Sequence, residues 1–490
     1  MGAPLATDPC DLSAIAARRL IGTKQLSPVE LLDSCIARIE AVDHAVNAIV
    51  ARDFERARTA ALAAEQAVMR GGALGALHGL PVAIKDLEET AGLRTTFGSP
   101  LFRDNVPGAD ERSVASLRAA GAIVLGKSNT PEFGAGANTR NAVYGATGNP
   151  FDPMKSCAGS SGGSAVALAT GMVPLASGSD MGGSLRNPAA FCGIVGFRPS
   201  PGLVPSERRG LGWSALSVNG PMARSVEDVC LMLSAMAADD ARDPLAAPLV
   251  DSFHPPRAVD LSGLRVAVTP DFGFAPVERG VRERFAAVTA AIRHLFAAAD
   301  DAAPDCSGAD DAFAVLRGVS FLAAHEEKVR NHPDQVGPNI HANVAEGMTY
   351  TAADVARAEA AQTAIYRRWQ DFFKQFDLII APAIAITPRP WRELFPAEIN
   401  GVRLRSYYYW LALAYAVTLP GHPSVCVPAG LDAAGTPFGV QVIGPRRGDA
   451  FVLGAAAALQ AVLPARPVPD LARLRAAPPL REAEGFLGFG

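Results

Sequence analysis

The chain has 490 residues, 49% hydrophobic and 19% charged, which is ample for a large buried core and carries no signature of disorder or of an acidic tail. A formal net charge of −4, with no Lys/Arg cluster interleaved with aromatics, excludes nucleic acid as the expected partner. Seven cysteines without a C-x-x-C pair imply reduced thiols, and Met1–Pro9 lacks a signal-peptide pattern while no run reaches about 18 apolar residues, so a cytoplasmic protein without membrane contact is expected.

Taken in chain order, Ser27-Pro28-Val29-Glu30 reads as a capping box with proline at the first helical position, opening a helix through Glu40. The Ala-rich, amphipathic stretch Asp53–Met69 predicts a second helix, so residues 1–70 read as a helical layer. From Leu80 the pattern changes to short apolar strands (Val82–Ile84, Ile123–Leu125, Val173–Ala176, Ile194–Phe197) with helices between them, such as Arg112–Ala120 and Ser164–Gly171. This alternation over residues 71–235 predicts an α/β sheet covered on both faces. A Pro/Asp/Ala-rich connector follows at 236–262. The remainder, 263–490, predicts a strand at Leu264–Val268, helices over 277–298 and 351–374, and a strand at Leu378–Ala381. Strands near Ser424–Pro428 and Phe438–Ile443 and a helix at Ala450–Val462 complete it.

Three features carry chemistry. Gly159-Ser160-Ser161-Gly162-Gly163-Ser164 places hydroxyls on a glycine-rich loop, and Ser179-Asp180-Met181-Gly182-Gly183-Ser184 places consecutive backbone N–H groups before a serine. Lys85 ends the apolar run Leu80–Ile84, where burial lowers an amine's pKa and suits it to act as a base. Ser184 is then the nucleophile, Ser160 the relay and Lys85 the base, while the N–H groups around Met181, Gly182, Gly183 and Ser184 hold the oxyanion. Asp180 and Arg186, six residues apart, are expected to pair and shape the second loop, with Ser161 as a further support.

Two other motifs compete. Gly121–Ser128 matches G-x-x-x-x-G-K-[ST], but Ile123-Val124-Leu125 reads as a buried strand rather than an anion-cradling turn, so Lys127 is expected to be structural. Gly159–Gly163 also fits G-x-S-x-G, which would make Ser161 the nucleophile of an α/β-hydrolase-type esterase with His422 as partner, and would leave Lys85 and the second loop without a role.

The quoted residues resemble the amidase signature family of serine amidohydrolases. Lys85 precedes Ser160 by 75 residues and Ser160 precedes Ser184 by 24, similar to the family's spacing, and the blocks Lys127–Phe133, Ala190–Ser200 and Gly439–Pro445 extend the similarity nearly end to end. Ala158, Ser179 and Leu87-Glu88-Glu89 depart from its usual residues without removing a reacting group. The resemblance implies a large mixed, mainly parallel sheet covered by helices, with residues 263–490 completing the same sheet, and a cis peptide between Gly159 and Ser160. It implies a Ser-Ser-Lys amidase releasing ammonia or amine from a small-molecule carboxamide, with Phe133 and Gly134 beside the substrate. No organic cofactor and no metal are expected, a homodimer is left open, and Tyr407–Leu411, Phe133 and Trp213 are candidates for an aryl or apolar acyl pocket. The alternative within the family is the glutaminase component of a tRNA-dependent amidotransferase, which the apolar segment Leu411–Leu419 disfavours because glutamine is zwitterionic.

Overall fold

The computed structural model describes residues 8–480, so most of the Met1–Pro9 reading lies outside the described residues. The Ser27 hydroxyl accepts from the Val29 N–H at 2.9 Å and Glu30 accepts from the Ser27 N–H at 2.9 Å, so the capping box is formed and the helix Pro28–Val42 follows. Asp53 caps Phe54–Arg70, which ends on Gly71 in the left-handed region at φ 76°. The N-terminal layer is not wholly helical. Ile49–Arg52 is a strand pairing antiparallel with Ile123–Ser128, a four-residue edge too short to show in the sequence pattern.

One eleven-stranded mixed sheet organises the molecule. Its spatial order is Ile49–Arg52, Ile123–Ser128, Pro81–Lys85, Leu175–Asp180, Val218–Ala223, Val195–Arg198, Ser424–Leu431, Pro437–Ile443, Leu378–Pro382, Arg265–Val268, Ala298–Asp301. Parallel ladders join the strands around Pro81–Lys85 and around Arg265–Val268, while antiparallel ladders run through the middle. Helices Gly162–Ala169 and Arg186–Cys192 pack together against the sheet, as do Val226–Met236 and Asp449–Gln460. Every residue of Pro81–Lys85 is buried, as expected of a strand covered on both faces.

Residues 237–260 hold no helix or strand, and strands from both sides of them lie in the same sheet. The helix expected over 277–298 is shorter, Arg279–Ile292, and Ala298–Asp301 is an edge strand parallel to Arg265–Val268. Local alanine content there favours helix, and tertiary pairing overrides it. The strand expected from Val173 runs instead from Leu175 to Asp180, carrying Ser177 and Ser179 into the sheet. Val218–Ala223 pairs with it despite Gly220 and Pro221, residues that argue against a strand locally. The helices Ala309–Asn331 and Pro338–Thr349, which the sequence reading did not delimit, pack on each other and bring Phe321, Ile340 and Val344 into a small apolar cluster against Phe133.

Candidate active site

Lys85 is wholly buried at the C-terminal end of its strand. Its Nζ lies 2.7 Å from Ser160 Oγ, 2.9 Å from Ser161 Oγ and 2.9 Å from Ser179 Oγ, and among the described residues it makes no ion pair with a carboxylate. Burial pulls its pKa down from the ordinary amine range to about 7, with Glu88 and Asp180 drawing it partly back up. Three hydroxyls can solvate either form of the amine, and a neutral Nζ has a lone pair to accept the proton of Ser160. The Lys85 N–H donates to Ser177 Oγ at 3.0 Å, and Ser177 in turn donates to Glu88, whose other oxygen accepts from Ser113 at 2.7 Å.

Helix Gly162–Ala169 begins within the stretch expected as the first loop, and a Cβ on Gly163 would lie 2.2 Å from the Asn129 nitrogen, so only glycine lets that backbone approach. The Gly159–Ser160 peptide is cis. Ser161 meets Lys85 and Ser179 through its hydroxyl, and its N–H donates to the Ser184 carbonyl at 3.3 Å, joining the two loops. Ser184 is partly exposed and, with Ser160, lines a cavity of about 190 Å³.

Asp180 anchors the second loop. Its Oδ1 accepts from the Gly183 N–H at 3.0 Å and from Arg186 Nη2 at 3.0 Å, and its Oδ2 accepts from the Leu185 N–H at 3.1 Å. Arg198, which lies within the Ala190–Ser200 block, adds a contact to Oδ1 at 3.2 Å and to the Asp180 carbonyl at 2.7 Å. Burial alone would raise the Asp180 pKa, but the two guanidiniums hold the carboxyl well below the usual range. Arg186 continues to Gln441 Oε1 at 2.9 Å and to the Ala414 carbonyl at 3.1 Å, tying the loop to the late strands. The expected pairing of Asp180 with Arg186 is therefore present. Gly183 differs from its expected role, because its N–H is spent on Asp180. The N–H groups of Met181, Gly182 and Ser184 make no hydrogen bond to another described residue, which leaves three donors around the loop.

Phe133 and Gly134 line the same cavity with positive φ values of 48° and 72°. A Cβ on Gly134 would lie 3.4 Å from Ser160 Oγ, so this turn abuts the Ser160 hydroxyl. Of the aromatic segment, Tyr407 and Leu411 reach the cavity, while Tyr408 and Trp410 are buried in the core, and Trp213 is 80% exposed and does not line the cavity. One further wall is formed by Phe313, Arg317, Ser320, Phe321, Ala324 and His325 of helix Ala309–Asn331, none of which the sequence pattern marks as site residues. The apolar spacing Ala309, Ala312, Phe313, Leu316 was the available helical signal.

The competing motifs are resolved by geometry. His422 is buried between Trp369 and Phe373, with one ring nitrogen 2.8 Å from the Gly444 carbonyl and the other 3.2 Å from Gln370, so it does not serve Ser161. Lys127 is buried on its strand and donates to the Glu88 carbonyl and to Thr90 Oγ1, the latter at 3.0 Å.

A family model described as Amidase matches residues 30–453. The chain belongs to the amidase signature family. It is similar to an acylamidase of Rhodococcus erythropolis, 35% identical over 92% of this chain and 96% of that protein. It is also similar to a glutamyl-tRNA(Gln) amidotransferase subunit from Anaeromyxobacter dehalogenans (strain 2CP-C), 33% identical over 95% of this chain and 99% of that one. The crystal structure of a bacterial aryl acylamidase of the amidase signature family superposes with a TM-score of 0.87 at 28% identity, covering 95% of this chain and 98% of that chain. This amidase hydrolyses carbon–nitrogen bonds in amides. No helix among its described residues is long and apolar enough to cross a membrane.

Proposed function

We propose that this amidase hydrolyses small carboxamides with an aryl or apolar acyl group through an acyl-enzyme on Ser184, with Ser160 and Lys85 as the proton relay. The observation that carries the reading is a buried amine held among hydroxyls, without an ion-paired carboxylate, beside an aromatic-walled cavity that contains Ser184. Ser184 Oγ attacks the carbonyl carbon as its proton passes through Ser160 to neutral Lys85. The N–H groups of Met181, Gly182 and Ser184 face the charge that develops on the carbonyl oxygen. The C–N bond then breaks as the relay returns the proton to the departing nitrogen, and ammonia or amine leaves. Water attacks the ester by the same relay, releasing carboxylate and restoring the Ser184 hydroxyl.

The cavity of about 190 Å³ exceeds the ~150 Å³ of a protein cavity that admits benzene, so one ring with a carboxamide is a reasonable load. The similarity to an amidotransferase component favours glutamine as the second reading. Against it, no aspartate or glutamate lines the cavity to meet an ammonium group, and burying that charge unpaired is costly. The proposed reaction needs no partner chain, is compatible with a homodimer, and suits a cytoplasmic protein with seven buried free thiols. Ammonia release from benzamide-type amides, propionamide and glutamine under one set of conditions tests this reading. The aryl amide is expected to have the highest kcat/KM, and a preference for glutamine overturns it.

A further inference from the structure

Helix Ala309–Asn331 turns Phe313, Arg317 and Phe321 onto the cavity at successive four-residue intervals. Arg317 is only 6% exposed. Its guanidinium donates to Asn343 Oδ1 and to the Tyr407 hydroxyl oxygen, and it lies 4.3 Å from the Phe321 ring centroid and 4.9 Å from those of Tyr407 and Tyr408. All these partners are neutral. The neighbouring carboxylate, Glu346, accepts instead from the hydroxyls of Tyr408 at 2.6 Å and Tyr350 at 2.9 Å. Arg186 and Arg198, wholly buried, both sit on Asp180. Arg317 thus brings a buried positive charge, without an ion-paired carboxylate among the described residues, to a cavity whose lining includes no acidic residue.

Such a charge is costly unless a counter-charge meets it, and a guanidinium has five N–H donors, of which Asn343 and Tyr407 engage two. The position matches a second functional group on the substrate. A Cβ on Gly182 of the Ser184 loop would lie 3.8 Å from Phe313 Cζ, and Arg317 is one helical turn further on, about 6 Å along the axis. That displacement is comparable to the span of a benzene ring or a short alkyl chain.

Resting on the acyl-amide reading above, we propose that Arg317 is a substrate-specificity residue that receives a carboxylate at the far end of the acyl group. The preferred substrate class is then the half-amide of a dicarboxylic acid. Its amide lies at Ser184, its carboxylate bonds the remaining guanidinium donors, and its ring or chain packs among Phe313, Phe321 and Tyr407. Glutamine fits less well, since its carboxylate is met but its ammonium group is not.

The test compares 4-carbamoylbenzoate with benzamide in the wild-type protein and in Arg317→Met, which keeps an unbranched apolar stem and removes the charge. The wild type is expected to favour 4-carbamoylbenzoate in kcat/KM by about tenfold or more, chiefly through KM, and the ratio is expected to fall to about one in Arg317→Met. Terephthalate is expected to inhibit the wild type more strongly than benzoate, a measurement that does not depend on the variant folding. Turnover of both amides without preference, or a preference retained in Arg317→Met, overturns the assignment of Arg317 alone. Failure of the wild type to hydrolyse either aryl amide overturns the acyl-amide reading and the assignment with it.

Discussion

Lys85 Nζ and Ser160 Oγ lie 2.7 Å apart, in a setting where the amine is fully buried and its pKa is lowered to about 7. The relay requires the neutral amine, so kcat/KM for an unactivated amide is expected to rise with pH and reach half its plateau near 7. Stability should follow the same direction. Between about 7 and the ordinary lysine value the unfolded chain binds a proton that the folded one does not, so this group's contribution to stability grows as pH rises through that window. A pH profile of kcat/KM checks the first point, and a flat profile from pH 5 to 9 contradicts it.

Lys85→Ala is expected to lower kcat/KM for an amide by about 10²-fold or more, because the same relay must protonate a poor leaving group. A matched activated ester should lose less, since its leaving group departs unprotonated. Steady-state kinetics on the pair provides the comparison, and equal losses contradict the relay.

Ser160→Ala removes the hydroxyl that joins Lys85 to the cavity and should approach the severity of Lys85→Ala. Ser161→Ala removes only one of three oxygen contacts to Lys85 Nζ and should retain measurable turnover. The two variants assayed side by side separate these roles.

Asp180→Asn leaves Arg186 and Arg198 buried without their counter-charge and should destabilise the fold by about 3–5 kcal/mol. With its folded pKa depressed, Asp180 contributes stability above the usual carboxyl value of about 3.9, and that contribution is lost as pH falls below it toward the folded pKa. Urea denaturation of wild type and variant at pH 7 and at pH 3.5 should therefore show a smaller difference at the lower pH.

The residues of the proposed triad are legible in the sequence because each announces itself locally: a lysine ending an apolar strand, and two Gly/Ser loops that fall at a familiar interval. Asp180 and Arg186 are legible for the same reason, being six residues apart. The wall of the cavity is not. Arg317 and Phe313 come from a helix more than a hundred residues after the second loop, and they line one cavity with Ser184 through tertiary packing that includes the apolar cluster of Phe321 with Phe133. Trp213 shows the converse, an aromatic residue that suggests a pocket by its type and lies 80% exposed. The edge strand Ala298–Asp301 escapes notice because its alanines favour helix and only its parallel partner decides otherwise.

In the proposed mechanism Ser184 forms the acyl-enzyme. Mass spectrometry of peptides from protein inactivated with a fluorophosphonate tests it most directly. The adduct is expected on Ser184 and should be absent in Ser184→Ala, whereas an adduct on Ser161 or Ser160 in the wild-type protein would contradict the assignment.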